Sequence, residues 1–306
     1  MRSGNRRYRM DSTVRQARLD DADDVVSFAE QVWNERPDTV DYIPDVFADW
    51  VESDGPDQHT VVAEVDGTAA GLCQVVLLTD HEAWFQGMRV DPDHRGEGLG
   101  LSMVEHCFDW ARQRGATVGR NMVFSWNDAG LGQSVAAGFE PDTAFRFAHP
   151  EPDTDAEPDV PVRNDPDAAW SYWTASDART HLSGLALDPD RAWALSELTR
   201  DRLHRLADEE AVFAVTADGT TGMACRTGTR SEPSGDGALA EYAVGAWDDR
   251  GAAASLFDAI RADAAALEVE ETRVLIPETP RHVAEAAAVR AELADWPDFV
   301  LSADLT

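Results

Sequence analysis

The chain has 306 residues, enough for two hydrophobic cores at about 100–200 residues per domain. Its 58 acidic residues outnumber 26 basic ones for a net charge of −32, and every basic residue is an arginine. Such a balance excludes a nucleic-acid-binding face, which needs clustered positive charge, and the sequence has no apolar run of about 18 residues to span a membrane.

The acids are spread from Asp20 to Asp304 rather than gathered in one block. At molar salt the screening length shrinks to about 3 Å and their mutual repulsion largely vanishes. The composition therefore reads as halophilic, suited to a salt-rich cytoplasm. Cys73, Cys107 and Cys225 lie far apart in apolar surroundings and read as small core residues in a reducing compartment. No zinc-type spacing appears, so no metal is expected. Residues 1–11 carry Arg2, Arg6, Arg7 and Arg9 without the apolar segment of a secretory signal and read as a disordered arm, with Met10 an alternative start.

From Val14 the pattern gives a strand (14–18), a helix (20–33) and a less regular stretch through Trp50. Residues 60–65 and 68–78 alternate apolar positions around Asp66-Gly67, a two-residue hairpin turn. A strand over 83–90 follows, in which Gly87 marks a bulge. Next comes the glycine-rich turn Arg95-Gly96-Glu97-Gly98-Leu99-Gly100, opening a helix over 101–114. Glycines without Cβ atoms let amides approach an oxygen closely, and the helix aims its unpaired N–H groups and about half a positive charge at the same point. A pyrophosphate fits there. A strand (117–124), a helix (129–137) and a strand (143–148) complete this half.

Residues 149–167 are dense in proline and aspartate and read as a linker. Beyond them helices are expected over 179–187 and 191–207, then a hairpin over 211–226 turning at Asp218-Gly219. The order of elements begins again. Arg250-Gly251 stands where Arg95-Gly96 stood, at a shift that places Leu256 on Leu101, Ala253 and Ser255 on the two glycines Gly98 and Gly100, and His282 on Asn127.

The spacing is neither the dinucleotide fingerprint nor the phosphate loop of NTPases. R-x-x-G-x-G after V-D-P resembles instead the acetyl-CoA signature Q/R-x-x-G-x-G/A of the GNAT superfamily of N-acetyltransferases. Asn127 and Gly138-Phe139 resemble that family's N…Y…G-F segment in register. The resemblance covers roughly residues 12–148. It implies an α/β fold with a mixed, mostly antiparallel sheet and helices on both faces. By the repeated order of elements, 168–306 reads as a second, degenerate GNAT-like domain in tandem, with an unrelated α/β domain as the alternative.

It further implies acetyl-CoA as co-substrate. Its pyrophosphate would lie on Arg95, Gly96, Glu97, Gly98, Leu99 and Gly100, and its pantetheine and acetyl carbonyl along the backbone of Met88, Arg89 and Val90. Asn127 and Ser134 would stand near the thioester. The acceptor would be a small-molecule or peptide amine attacking directly in a ternary complex, the second domain walling its groove or forming a homodimer face.

Two departures matter. Ser134 stands where many members carry the tyrosine that protonates the leaving thiolate, and a serine hydroxyl is a much poorer acid. The strand that often holds a glutamate base reads Trp84-Phe85-Gln86-Gly87-Met88, and Gln86 cannot take a proton. Glu82 and His81, just upstream, are the nearest candidates for a base. Trp33, Tyr42, Trp84 and Trp126 are candidates for the acceptor groove, with burial in the core as the alternative. The missing tyrosine and glutamate also admit another class of function, a sensor or scaffold that binds the cofactor without turning it over.

Overall fold

The computed structural model describes residues 12–32, 41–231 and 237–306. Trp33 and the arm expected over 1–11 lie outside the described residues. The chain divides into two compact units. One runs up to Asn121 and adds Gly132–Phe139 and Ser302–Thr306; the other comprises Met122–Leu131 and Glu140–Leu301.

The first unit is built on strands β1 (Ser12–Gln16), β2 (Gln58–Val65), β3 (Thr68–Leu77) and β4 (Glu82–Val90), each antiparallel to the next. The β2–β3 turn forms where expected, because Asp66 and Gly67 take φ of 50° and 88°, the left-handed pair that a tight hairpin requires. Strand β5 (Val118–Phe124) lies parallel to β4.

One face of this sheet carries α1 (Ala22–Val32) and α2 (Ile43–Glu52), whose Val25, Phe28, Ile43 and Phe47 bury against Val62 and Leu72. Residues alternate between faces along a strand, so Phe85 points the other way, toward α3 (Leu99–Arg112). There it meets Phe108 edge-on at 5.1 Å, and Phe139 lies 5.2 Å from Phe108. Such aromatic pairs contribute about 0.5–1.5 kcal/mol each beyond their burial. Helix α3 packs closely on β3, since a Cβ at Gly71 would stand 2.8 Å from the tip of Met103.

Helix α2 corrects the irregular reading of the stretch through Trp50. Asp41 accepts the Ile43 N–H at 3.0 Å, and Pro44 occupies the first turn, where an amide would have no helical partner.

The bulge expected at Gly87 is present. Pairing passes from Leu72 opposite Arg89 to Gln74 opposite Gln86, so Gly87 and Met88 share the single partner position of Cys73. Gly87 takes φ +67°, and a Cβ there would lie 2.5 Å from the Trp50 ring. We expect Gly87→Ala to lower stability by about 2–4 kcal/mol, through the left-handed backbone and the clash together. A fall in Tm checks it; an unchanged Tm would contradict it.

The second unit is ordered β7 (Val162–Arg163), β10 (Ala211–Thr216), β11 (Thr220–Ser231), β12 (Ala238–Trp247), β13 (Glu271–Pro277) and β6 (Glu140–His149). Its β10, β11 and β12 are antiparallel neighbours, and β13 runs parallel to β12. With α8 (Arg250–Ala266) between β12 and β13 and α9 (Pro280–Ala288) after β13, this repeats the order of elements in the first unit. The strand after α4 (Asp128–Ala136) therefore belongs to the second unit, and the last residues of the chain belong to the first.

The helices expected over 179–187 and 191–207 are redrawn. Helix α5 is Pro166–Ala175, α6 is the single turn Asp177–His181, and α7 is Arg200–Glu209. Residues 185–187 and 195–197 form a short two-stranded ladder, β8 and β9. Helix α5 starts inside the stretch read as a linker, because Asp165 caps it by accepting the Ala168 N–H at 2.9 Å and Pro166 suits the first turn. The rest of that stretch is tied to the second unit. Pro150 accepts from the Thr272 hydroxyl at 2.6 Å, Asp153 N–H donates to Arg261 O, Val160 N–H donates to Ser255 Oγ, and Val160 and Val162 pack on the core.

Candidate functional site

The residues expected from the sequence to form the site, Asn127 apart, belong to the first unit, where two local features stand out. The first is the end of a ladder. Strands β4 and β5 pair only from Glu82–Val118 to Phe85–Asn121, and Gln86–Val90 run on without β5 partners through the Gly87 bulge. The backbone of Met88, Arg89 and Val90 therefore has no partner from β5 on that side. Arg89 is held there by Asp41 at 2.7 Å and donates to Met88 O at 3.0 Å.

The second is the start of α3. Its N-cap is Gly98, left-handed at φ 88°, with no side-chain cap. The first helical bond joins Ser102 N–H to Gly98 O, so the amides of Leu99, Gly100 and Leu101 have no partner within the helix. Gly96 is also left-handed, at φ 81°, and neither Gly96 nor Gly98 has any atom within 4 Å of where a Cβ would stand. The loop is an open cradle. Arg95 is exposed, while Glu97 is paired with His94 at 3.0 Å, which offsets its charge when the histidine is protonated.

Ser134, on α4, is 8% exposed. Its hydroxyl accepts from Asn121 Nδ2 at 3.0 Å and so keeps its own proton to donate. Asn121 Oδ1 is buried without a partner, as is Gln133 Nε2, and a Cβ at Gly100 would collide with that same Gln133 amide. Sequence reading passed over both residues. Their only local signal is an amide next to Arg120 in a largely apolar strand and one beside Ser134 on α4.

These orphaned groups, the uncapped helix and the open glycines fit a ligand bearing anionic oxygens at one end and amides along its length, as acetyl-CoA does. An unpaired buried amide group costs about 1–3 kcal/mol, which a ligand making the bond would recover.

Asn127 falls in the second unit. Its Oδ1 accepts the Gly130 N–H at 3.0 Å and caps α4, while Phe124 and Trp126 stack at 5.1 Å beside it in sequence.

The candidate bases fare differently. Glu82 is 2% exposed and bonded to Arg120 at 2.5 Å, and it accepts from the Thr79 hydroxyl at 3.2 Å. A carboxylate engaged in this way forms a structural ion pair across the parallel strands, and removing either partner would leave an uncompensated buried charge. His81 is exposed beside Thr79. Trp84 is buried, at 2% exposure, whereas Tyr42 is 39% exposed with the Arg89 guanidinium 5.5 Å from its ring centroid.

The equivalent place in the second unit is closed to anions. Asp249 caps α8 and accepts from the N–H groups of Gly251 and Ala252 at 2.8 and 2.9 Å. Its carboxylate sits where a phosphate would. The register expected from the sequence fails here, because α8 starts at Arg250: Ser255, matched by the shift to Gly100, stands six residues into the helix and accepts from Val160 N–H at 3.0 Å. His282, matched to Asn127, is 1% exposed, and burial lowers its pKa to about 4.

Residues 22–129 match the model of the Acetyltransferase (GNAT) family. Over nearly the whole chain the fold matches the crystal structure of a GCN5-related N-acetyltransferase from Sphaerobacter thermophilus, at a TM-score of 0.59 and 16% identity, with 96% of each chain covered. The mixed α/β fold is thus that of the GNAT acetyltransferases. A stretch of 74 residues is 36% identical to streptothricin acetyltransferase from Streptomyces lavendulae, spanning 22% of this chain and 37% of that protein. The chain therefore matches little more than a third of the length of this curated relative. Among the described residues no helix is long and apolar enough to cross a membrane, and no group of three or more side chains is placed to hold a metal ion.

Proposed function

We propose that this chain is an acetyl-CoA-dependent N-acetyltransferase with one cofactor site, carried by the first unit. The observation that supports it most is the contrast between two helix starts: Gly98 leaves α3 uncapped and open, whereas Asp249 fills the same place on α8. Arg95 and the amides from Gly96 to Gly100 receive the pyrophosphate. The backbone of Met88 to Val90 takes the pantetheine and polarises the acetyl carbonyl as it becomes an oxyanion. Asn121 Oδ1 accepts from a pantetheine amide. Ser134 donates a hydrogen bond to the leaving sulfur, while Asn127 keeps to its place as the cap of α4. The second unit is a degenerate copy of the same fold in this reading, and Glu82 keeps to its pair with Arg120.

The acceptor is a small-molecule or peptide amine. Its nitrogen attacks the thioester carbon, the C–N bond forms, the C–S bond breaks, and the nitrogen's surplus proton passes to the departing sulfur or to water, so that CoA leaves as thiol or thiolate. A thiol pKa near 8.5 makes that departure feasible without a strong acid.

Titration of acetyl-CoA into the full chain at about 3 M KCl, where acidic self-repulsion is screened, is expected to show one molecule bound per chain. Labelled acetyl-CoA with a panel of amines is then expected to yield an acetylated amine and free thiol. Two molecules bound per chain, or binding with no acetyl transfer to any amine, would refute the assignment.

A further inference from the structure

Gln86 is the last residue of β4 before the bulge, and its side chain heads a line of hydrogen bonds crossing the sheet on the α1–α2 face. Gln86 Nε2 donates to Gln74 Oε1 at 2.6 Å, Gln74 Nε2 donates to Thr60 Oγ1 at 2.9 Å, and Thr60 Oγ1 donates to Asp54 Oδ1 at 2.9 Å. Asp54 is anchored in turn by the Thr60 N–H at 2.9 and 3.0 Å and by Gln16 Nε2 at 3.0 Å. The middle of the line is dry, with Gln74 and Thr60 both 0% exposed.

The direction of the line is dictated by its far end. A carboxylate accepts and does not donate, so the Thr60 hydroxyl must give its only proton to Asp54. Its lone pairs then face Gln74, which must present its NH2 group to them and its oxygen to Gln86. Gln86 must therefore turn its own NH2 group inward, because two amide oxygens 2.6 Å apart would repel. Asp54 thus fixes, through two buried side chains, which end of Gln86 is spent inside the sheet.

Building on the acetyl-transfer reading, we propose that Gln86 Oε1 is the hydrogen-bond acceptor that receives an N–H of the attacking amine beside the bulge. Asp54, Thr60 and Gln74 are positioning residues that keep this oxygen outward. An amide oxygen orients an amine but takes no proton from it. The acceptor therefore attacks as the neutral amine, and its surplus proton passes to the departing thiolate or to water, giving acetylated amine and CoA thiol. For an amine of pKa near 10, kcat/KM should climb about tenfold per pH unit until the amine itself is deprotonated.

The test uses the full chain in KCl with labelled acetyl-CoA and three probe amines: spermidine, benzylamine and a lysine-containing peptide. Gln86→Met, similar in size without the amide, is expected to lower kcat/KM for the amine about tenfold or more, the loss of a hydrogen bond made to an attacking group, and to leave acetyl-CoA affinity unchanged. Thr60→Val, which cuts the line two residues away, is expected to act in the same direction more weakly. Gln86→Glu places a titratable group at the point of attack and should add an ionisation to the pH profile, which a merely structural role would not. In the wild type, side-chain amide NMR should show the Gln86 and Gln74 NH2 hydrogens protected from exchange.

Turnover by the wild type with Gln86→Met unimpaired would overturn this assignment and leave the transfer reading standing. So would unprotected Gln86 amide hydrogens. Acetyl-CoA bound without acetylation of any probe would overturn both.

Discussion

Gly98→Glu should weaken acetyl-CoA binding by about 10- to 100-fold while the protein stays folded. Two costs combine at this position. The residue caps α3 at φ 88°, a left-handed conformation that costs an L-residue about 1–2 kcal/mol, so a side chain there pulls the loop away from the geometry that presents its amides. The carboxylate also lies within a few ångströms of the diphosphate, and at an effective dielectric near 20 a like charge about 5 Å away opposes binding by about 3 kcal/mol before screening. Molar salt reduces the second cost and leaves the first. Gly98→Ala separates them: it keeps the backbone cost of about 1–2 kcal/mol and adds no charge, so at high salt it should reproduce most of the loss. Isothermal titration at high KCl gives the affinities. Full affinity in Gly98→Glu would mean that the diphosphate lies elsewhere. Asp249→Ala is the internal control, because α8 begins from an extended N-cap at φ −149°, with no left-handed glycine loop before it to present amides, and should create no second site.

How much of this was legible beforehand depends on whether a feature is written locally. The loop was visible because left-handed turns need glycine, and Gly96 and Gly98 both take φ above 80°. Gly87 announced the bulge for the same reason, and Asp66-Gly67 the hairpin. Helix α5 was hidden by Pro166, which read as part of a linker and sits instead in a first turn, as Pro44 does in α2, where a missing N–H costs nothing. The polar architecture of the sheet was invisible because its partners are distant in sequence. Glu82 looks like an available base until Arg120, 38 residues on, is seen against it. Gln86 looks like a lost catalytic glutamate until Gln74, Thr60 and Asp54 are lined up beside it. Asn121 and Gln133 gained meaning only once their orphaned atoms were located.

Asp298→Asn should stabilise the protein at pH 8 by about 2–4 kcal/mol and flatten the dependence of stability on pH, at about 1.4 kcal/mol for each pH unit that separates the folded and unfolded ionisations. Asp298 opens β15 (Asp298–Asp304) in the second unit and is 7% exposed. Burial pushes its pKa up to about 7, against the pull of Arg146 and Arg273. Both arginines also serve other carboxylates: Arg146 is forked onto Glu278 at 2.7 and 2.8 Å, and Arg273 onto Glu241 at 2.6 and 3.2 Å. The sign follows from linkage. Between about 4, the unfolded value, and 7 the folded state holds a proton that the unfolded chain releases, so this group favours the folded state increasingly as pH falls from 7 toward 4. Above 7 the folded protein carries the buried charge and its full penalty. Asparagine keeps the shape and cannot ionise. The gain should therefore be present at pH 8 and gone by about pH 4. His282 acts in the opposite sense, since a buried neutral histidine with a pKa near 4 loses stability as pH falls from about 6.5, so the wild-type curve alone is a sum of opposed slopes. The difference between wild type and Asp298→Asn isolates the carboxyl, and urea midpoints from pH 4 to pH 8 at fixed KCl would measure it. A variant that is less stable at pH 8, or a difference that does not change with pH, would show that the carboxyl is ionised and paired in the folded state.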